Sequence, residues 1–520
     1  MHASFFRRCL IVITLDHWEI VIVPKLLLGY DIGSSSIKAS FIDADTGELV
    51  VSGSSPETEM KIDSPRPGWA EQHPDSWWQY VVAATRKLLA KVSTNSLDIA
   101  GIGISYQMHG LVMVGKNGEV LHPAIIWCDS RAVDIGNKAF VDLGQDYCLR
   151  HYLNSPGNFT ASKLKWVKEN KPDVYAKIAT VMLPGDYIAF KLTGEMCTTI
   201  SGLSEGILWD FEKKELADGL LEYYGIDRNL IADIVPTFGP QGILNSKAAA
   251  ELGLKTGIPI TYRAGDQPNN ALSLHVLKPG EIASTAGTSG VIYGIAEKNI
   301  FDPLSRVNTF AHVNYSAQQP NKGVLLCING TGIQYSWLRQ NILDNRFSYD
   351  EMNDLASRVR IGADGLRCYP FGNGAERSLM NKDVRCHFSG INFNVHDKGH
   401  MIRAAQEGIV FSFRYGLDIM KSLGMDFTIV RAGNSNLFQS NVFREAFANT
   451  CKVDIEIYNT DGSQGAARGA GIGIGRYAIG DNDFPGLRVI EKHGTTRELI
   501  QHYDTAYEDW KNGLQMVSLR

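Results

Sequence analysis

An apolar run, Pro259 to Ala264, ends in Gly265-Asp266-Gln267, and the following Pro268-Asn269-Asn270-Ala271-Leu272 reads as the first turns of a helix. A carboxylate at that point has two readings. Asp is a favoured N-cap, and Pro268 falls in the first turn, where its missing N–H costs little. The same carboxylate can instead accept a proton from an alcohol. In phosphoryl transfer through a loose transition state the nucleophile loses its proton late, so an ordinary Asp suffices to orient the hydroxyl and take that proton. The positive end of a helix favours ionisation, so Asp266 is expected as a carboxylate at neutral pH. The local sequence leaves cap and base open.

Three other segments bear on the choice. "DIGSSS", Asp31 to Ser36, and "GTSG", Gly287 to Gly290, are short Gly/Ser/Thr turns between apolar runs. Such turns aim successive N–H groups at one point and form concavities for phosphate oxygens. Each alone is also an ordinary hairpin turn, and Asp31 alone is an ordinary turn residue. Beside a triphosphate, Asp31 would hold Mg²⁺ through water. Neither turn fits GxxxxGK[ST], and no GxGxxG opens a helix, which disfavours P-loop and Rossmann sites. The third segment is "GISYQMHGLVMV", where Gln107-Met108-His109-Gly110 interrupts apolar residues at a strand end, the place where α/β clefts open. A surface histidine in a turn is the plain alternative.

The elements that must position these groups occur in two similar sets. Strands are predicted at Leu26–Tyr30, Ile37–Asp43 and Leu49–Ser52, with a helix from Pro74 to Val92 carrying Trp77, Val81, Ala84 and Leu88 on one face, then a strand Ile99–Tyr106. The second half repeats strand, Gly/Thr/Ser turn, strand in "GEIASTAGTSGVIYGIAE", with "GVLLCING" as a third strand. A helix from His400 to Leu423, a strand Phe427–Val430, a helix Asn441–Thr450, a strand "VDIEIY" and the Gly/Ala-rich "SQGAARGAGIGIG" follow. The expected class is α/β, in two halves that share a cleft.

Length and composition agree: 520 residues exceed one ordinary core, and 44% apolar with 21% charged residues is globular. A net charge of −5 offers nothing global to nucleic acid or an acidic membrane, so neither is an expected partner. Eight scattered cysteines form no metal-ligand spacing and point to free thiols in a reducing, cytoplasmic setting. Residues 1–24 begin like a signal peptide, but Asp16, His17 and Glu19 interrupt the apolar run; an added strand or a start-site extension is expected there.

Together the motifs resemble those of the FGGY carbohydrate kinases, most of all their xylulokinase branch. "LGYDIGSSSIKASFID", "PGWAEQHPDSWWQ", "GISYQMHGLVMV", "AIIWCDSRA", "FTASKLKWVKEN", "GDQPNNALSL", "GEIASTAGTSGVIY" and "HFSGINF…HMIRAAQEGIVFSFRYGLD" occur in family order from about Leu27 to Tyr507. The resemblance implies two actin-like (ribonuclease-H-like) ATPase domains, 25–277 and 278–520, around an interdomain active-site cleft. It implies transfer of the γ-phosphate of Mg-ATP to D-xylulose, with another ketose, a pentitol or gluconate as alternative acceptors. A non-catalytic sugar- or nucleotide-binding regulator, and a chaperone- or filament-type ATPase, are the rival classes. A homodimer is compatible with it. Carried over by position, Asp266 is the base and Asp31 the metal-proximal aspartate. Gln107, Met108, His109, Asp266 and Gln267 meet the sugar. Gly33, Ser34, Ser35, Ser36, Gly287, Thr288, Ser289, Gly290, Gly433 and Asn434 meet the nucleotide. Two departures stand out: Gln267 where Asn is usual, and "RAGNSN", Arg431 to Asn436, where a glycine-rich adenine-side segment is usual. Arg431 thereby brings a bulky charge where a Gly is usual, which bears on the nucleotide-base pocket and on nucleotide preference.

Overall fold

The structure is a computed structural model and describes residues 10–14, 17–21, 25–92, 98–480 and 484–518. Its frame is a pair of mixed sheets with the same core strand order. The first contains β1 (Lys25–Ile32), β2 (Ile37–Asp43), β3 (Leu49–Ser55), β4 (Asp98–Tyr106) and β5 (Ile260–Gly265), arranged β5-β4-β1-β2-β3. β1, β4 and β5 are parallel, while β2 and β3 return antiparallel. The second contains β6 (Glu281–Ala286), β7 (Gly290–Ala296), β8 (Asn308–Ala311), β9 (Lys322–Ile328), β10 (Ile429–Gly433), β11 (Asp454–Tyr458) and β12 (Val489–His493), arranged β8-β9-β7-β6-β10-β11-β12. Its middle five, β9-β7-β6-β10-β11, repeat the first sheet's order and directions, with β8 and β12 added at the edges.

Five helices matter for the site: α1 (Pro74–Leu89), α2 (Ile200–Glu205), α3 (Asp266–Ser273), α4 (Lys398–Ser422) and α5 (Gly462–Gly473). α1 buries the predicted Trp77, Val81, Ala84 and Leu88. α4 buries Ile402, Ala405, Ile409, Phe413 and Leu417 at helical spacing in the second core. α3 leaves the first sheet, yet its Ala271 packs with Ala283, Tyr293 and Ile295 of the second. α5 leaves the second sheet and lies on the first, where Ala466, Ala467 and Ala470 meet Leu27 and Tyr262.

This exchange explains the glycines. A Cβ on Gly29 would stand 1.9 Å from the Ser463 carbonyl oxygen, and one on Gly103 would stand 1.9 Å from that of Ala466. Gly465, Gly469 and Gly471 each cost α5 roughly 1 kcal/mol of helix propensity, offset by the close approach of helix to sheet.

Boundaries differ modestly from those predicted. α4 and β10 begin two residues away from expectation, and β10 runs on to Gly433, so Arg431 belongs to a strand. Within residues 1–24, Leu10–Thr14 and His17–Val21 pair as an antiparallel hairpin. The seven described cysteines are free. Among the described residues no helix is long and apolar enough to cross a membrane.

Candidate active site

Because β1, β4 and β5 run parallel, their C-terminal ends open on one rim. The register makes this specific: Tyr106 is opposite Ile32 on one side and Gly265 on the other. The segments leaving that rim are the three singled out by sequence: Gly33–Ser36, Gln107–His109 and Asp266. In the second sheet the parallel β6, β10 and β11 end likewise, delivering Gly287–Gly290, Gly433-Asn434 and Asp461.

Asp31 is opposite Ser105, whose hydroxyl donates to Asp31 Oδ1 at 2.9 Å. Burial raises the Asp31 carboxyl above its usual range, Lys38 and Ser105 pull it back, and Asp461 adds repulsion. The start of α5 abuts it, since a Cβ on Gly462 would lie 2.6 Å from Asp31 Oδ2.

Asp266 departs from expectation in two respects. It is the first residue of α3, and Gly265 (φ −57°, ψ 157°) occupies the cap position. It is also raised to about 7, by burial first and by Asp31 second, so it is not simply a carboxylate at neutral pH. The helix terminus does act in the expected direction, through the Gln267 and Asp266 N–H groups, but burial and like charge outweigh it. Asp266 also faces the second half. The Cys327 thiol, at the end of β9, is pushed up to about 11 by burial, by Glu376 and, in smaller part, by Asp266.

His109 adopts a left-handed backbone (φ 61°) and is enclosed by both halves. Phe159 meets its ring edge-on with centroids 4.9 Å apart, and Phe310, from β8, lies at 5.3 Å. Burial, then Lys163, then Arg377 push the imidazole down to about 3, so it is neutral. The Lys163 ammonium donates to the carbonyls of His109 (2.8 Å) and Ile126 (3.0 Å). Met108 packs on Gly265, where a Cβ would stand 2.6 Å from Met108 Cγ. Gln107 is turned inward: its amide nitrogen approaches Gln72 Oε1 at 3.4 Å, and Gln72 donates to the Ser34 carbonyl at 2.7 Å. Gln267 Oε1 is sealed without a partner.

The first turn closes on itself through Gly33 N–H to the Ser36 carbonyl (3.1 Å), and Ser34 Oγ accepts from the Trp127 indole at 3.3 Å. The second turn is tied down by Gly332 N–H to the Gly287 carbonyl (2.8 Å) and Ile333 N–H to that of Thr288 (3.1 Å). Ser289 lies close to Cys327, and Gly290 is wedged against Phe413 and Thr331. Gly433 ends β10, and the Asn434 N–H donates to the Tyr458 carbonyl at 3.2 Å. Asn436 Nδ2 lies 3.4 Å from where Gly287 would carry a Cβ, so this segment and the second turn are neighbours.

Arg431 does not crowd that groove. It is two residues inside β10, paired with Glu281 and Glu456 at 3.2 Å each, and it donates to the His275 carbonyl just beyond α3. The substitution that looked like a change to the nucleotide pocket is part of the packing between sheet and helix.

Several groups of this site carried no sequence signal of their own. Ser105 is one; Arg377, which donates to Asn308 Oδ1 at 2.5 Å, stands out in the sequence only as part of the Glu376-Arg377 pair in "FGNGAERSLMN" that the family resemblance retains. Glu205, at the end of α2, is the most surprising. Both its carboxyl oxygens are buried without a hydrogen-bond partner, between His109 and Gly265. An acidic residue flanked by "SGLS" and "GILW" is the one trace of it in the chain.

As for Mg²⁺, among the described residues no group of three His, Cys, Asp or Glu side chains can hold a metal. Mg²⁺ keeps most of its waters and takes one or two carboxylates beside substrate phosphates. Asp31, buried at the end of β1 with Asp461 near by, is the carboxyl group that would hold such an ion.

Comparison with known proteins gives a consistent result. The N-terminal domain of the FGGY family of carbohydrate kinases matches residues 26–273, and its C-terminal domain matches 282–473. The xylulose kinase of Lactococcus lactis subsp. lactis is 29% identical over 395 residues, covering 76% of this chain and 77% of that protein. The xylulose kinase of Bacillus subtilis is 26% identical over 496 residues, covering 94% and 96%. The crystal structure of xylulose kinase from Rhodospirillum rubrum superposes with a TM-score of 0.83 at 25% identity, covering 95% of this chain and all of that one (100%).

Proposed function

The chain belongs to the FGGY family of carbohydrate kinases, and from that premise we propose that it transfers the γ-phosphoryl group of Mg-ATP to D-xylulose, with Asp266 as general base. The observation that carries this reading is the meeting of Met108-His109 with Gly265-Asp266 at one rim, Met108 packed on Gly265. A sugar held by the first pair thereby presents a hydroxyl to the second. The xylulose kinases among its relatives support the choice of acceptor.

The steps follow from the residues. Met108 offers an apolar surface to the sugar and His109 a polar one. Gly33–Ser36 and Gly287–Gly290, with Gly433 and Asn434, cradle the nucleotide from the two sheets. Asp266 aligns the attacking hydroxyl and takes its proton as the bond to the leaving ADP lengthens. Asp31 would hold Mg²⁺, which when bound neutralises phosphate charge. Approach of the two halves would exclude water, so that the sugar hydroxyl is the nucleophile.

The test is ADP release with Mg-ATP over a panel of ketoses, alditols and gluconate. D-Xylulose should give the highest kcat/KM. A better gluconate or pentitol would change the acceptor, and no release with any sugar would remove the catalytic reading.

A further inference from the structure

The strongest unassigned feature is the buried carboxyl of Glu205 and the way that residue grips His109. His109 Nδ1 lies 2.9 Å from the main-chain carbonyl oxygen of Glu205. A carbonyl oxygen only accepts, so Nδ1 carries the hydrogen. A neutral imidazole carries one N–H, and Nε2 therefore presents a lone pair. Among the described residues the hydrogen bond seen for the His109 ring is the one at Nδ1.

The surroundings keep the ring in this state. The cations facing it are Lys163, bound to its own carbonyl, and Arg377, and both oppose an imidazolium. The facing acid is Glu205, whose Oε2 is 3.7 Å from Nδ1. Burial raises that acid well above the usual range, the nearby Tyr106 hydroxyl pulls it back, and Asp266 and Asp186 raise it further. The Tyr106 hydroxyl lies beside it without meeting hydrogen-bond geometry. Phe159 and Phe310 oppose a ring flip.

We propose that His109 meets the sugar as a hydrogen-bond acceptor through Nε2, with the main-chain carbonyl of Glu205 fixing that tautomer and the buried Glu205 side chain, packed between His109 and Gly265, acting as the positioning group that holds this carbonyl in place. The partner on the substrate is then a hydroxyl, which donates, and not the carbonyl oxygen of a ketose, which can only accept. This rests on the reading of His109 as a sugar contact, and it divides recognition: discrimination between a ketose and its alditol must come from elsewhere in the site. Glu205 also lies against Gly265, 3.2 Å from where that residue would carry a Cβ, so one buried acid supports both His109 and the turn that bears Asp266.

Two measurements on the full chain test it. In the ¹⁵N-histidine-labelled protein, with the His109 signal assigned by its loss in His109→Gln, a neutral Nδ1–H tautomer is expected at pH 7. An Nε2–H tautomer or an imidazolium overturns the proposal. This arm needs no turnover, so it stands apart from the identity of the sugar. In kinetics with the preferred acceptor, its alditol and its single-deoxy analogues, one deoxy analogue should lose roughly tenfold in kcat/KM with the wild type, a loss that disappears in His109→Ala. The alditol penalty should be the same in both enzymes. A penalty for the alditol that disappears in His109→Ala overturns the assignment. Glu205→Leu should raise KM for the sugar and leave KM for ATP, and Glu205→Gln should restore it; equal effects on both substrates would make Glu205 merely structural.

Discussion

Asp266 and Asp461 occupy corresponding points in the two halves. Each follows the fifth strand of a β-β-β-β-β core of the same order and opens a helix that crosses to the other half. Their surroundings differ. Asp461 is the N-cap of α5: its Oδ1 accepts from the Gln464 N–H at 3.0 Å and the Ser463 hydroxyl at 2.8 Å. Asp266 is one residue further along, inside α3, with Gly265 in the cap position and Asp31 near by. A shift of one residue separates a carboxylate that caps its own helix from one buried close to Asp31, where burial and like charge raise it. Equivalent positions in a duplicated fold thus need not share a role.

The sharpest way to break this contrast is Asp266→Asn. Loss of the base should lower kcat by about 10³-fold. The stability effect has a definite sign. The folded-state pKa of Asp266 is raised from 3.8 to about 7, so the native state holds a proton that the unfolded chain releases. The associated stabilisation is complete below pH 3.8 and is lost as pH rises through about 7. At pH 8 the Asn variant escapes that loss, and its Tm should rise by roughly 1–3 °C. A fall in Tm with turnover retained would make Asp266 a structural residue like Asp461.

His109→Ala should have the next largest effect, raising KM for the sugar by roughly 10- to 100-fold while KM for ATP changes little. Equal changes in both would detach the first rim from the acceptor. The pH profile follows in size. As the proposed base, Asp266 must be ionised to act, so kcat/KM of the free enzyme should fall about tenfold per pH unit below about 7. Asp31→Asn removes the nearest like charge and should move that limb to lower pH in whatever activity remains. A limb that stays in place would mean that burial alone sets it.

How much of this was legible in the chain depends on the range of the forces involved. Strands such as Ile37–Asp43, whose predicted and observed limits coincide, follow from local alternation and turn chemistry. The parallel rim does not, yet Asp31, Met108, His109 and Asp266 were legible because strand ends in α/β folds converge. The place of Arg431 was hidden because β10 extends three residues beyond the predicted limit at Val430, where Glu281 and Glu456 wait on neighbouring strands. The one-residue offset of α3 was hidden for a similar reason. Asp and Gly are both good caps, and burial beside Asp31 decides between them. Glu205 was invisible because its meaning is set by His109 and Gly265, which reach it from distant parts of the chain.

The smallest expected effect returns to Asp461. Asp461→Ala removes an acceptor shared by the Gln464 N–H and the Ser463 hydroxyl, leaving the start of α5 uncapped. Loss of such a cap costs about 1 kcal/mol. α5 is rich in glycine and held mainly by its packing on the first sheet, so the helix should persist with its first turn loosened. That turn adjoins Asp31, and Asp461 is one of the groups raising the Asp31 carboxyl. Chemical denaturation should therefore show a loss of about 1 kcal/mol, while kcat stays within a few-fold of wild type. A kcat loss approaching that of Asp266→Asn would show that the second aspartate shares in the chemistry, and the contrast between the two halves would have to be redrawn.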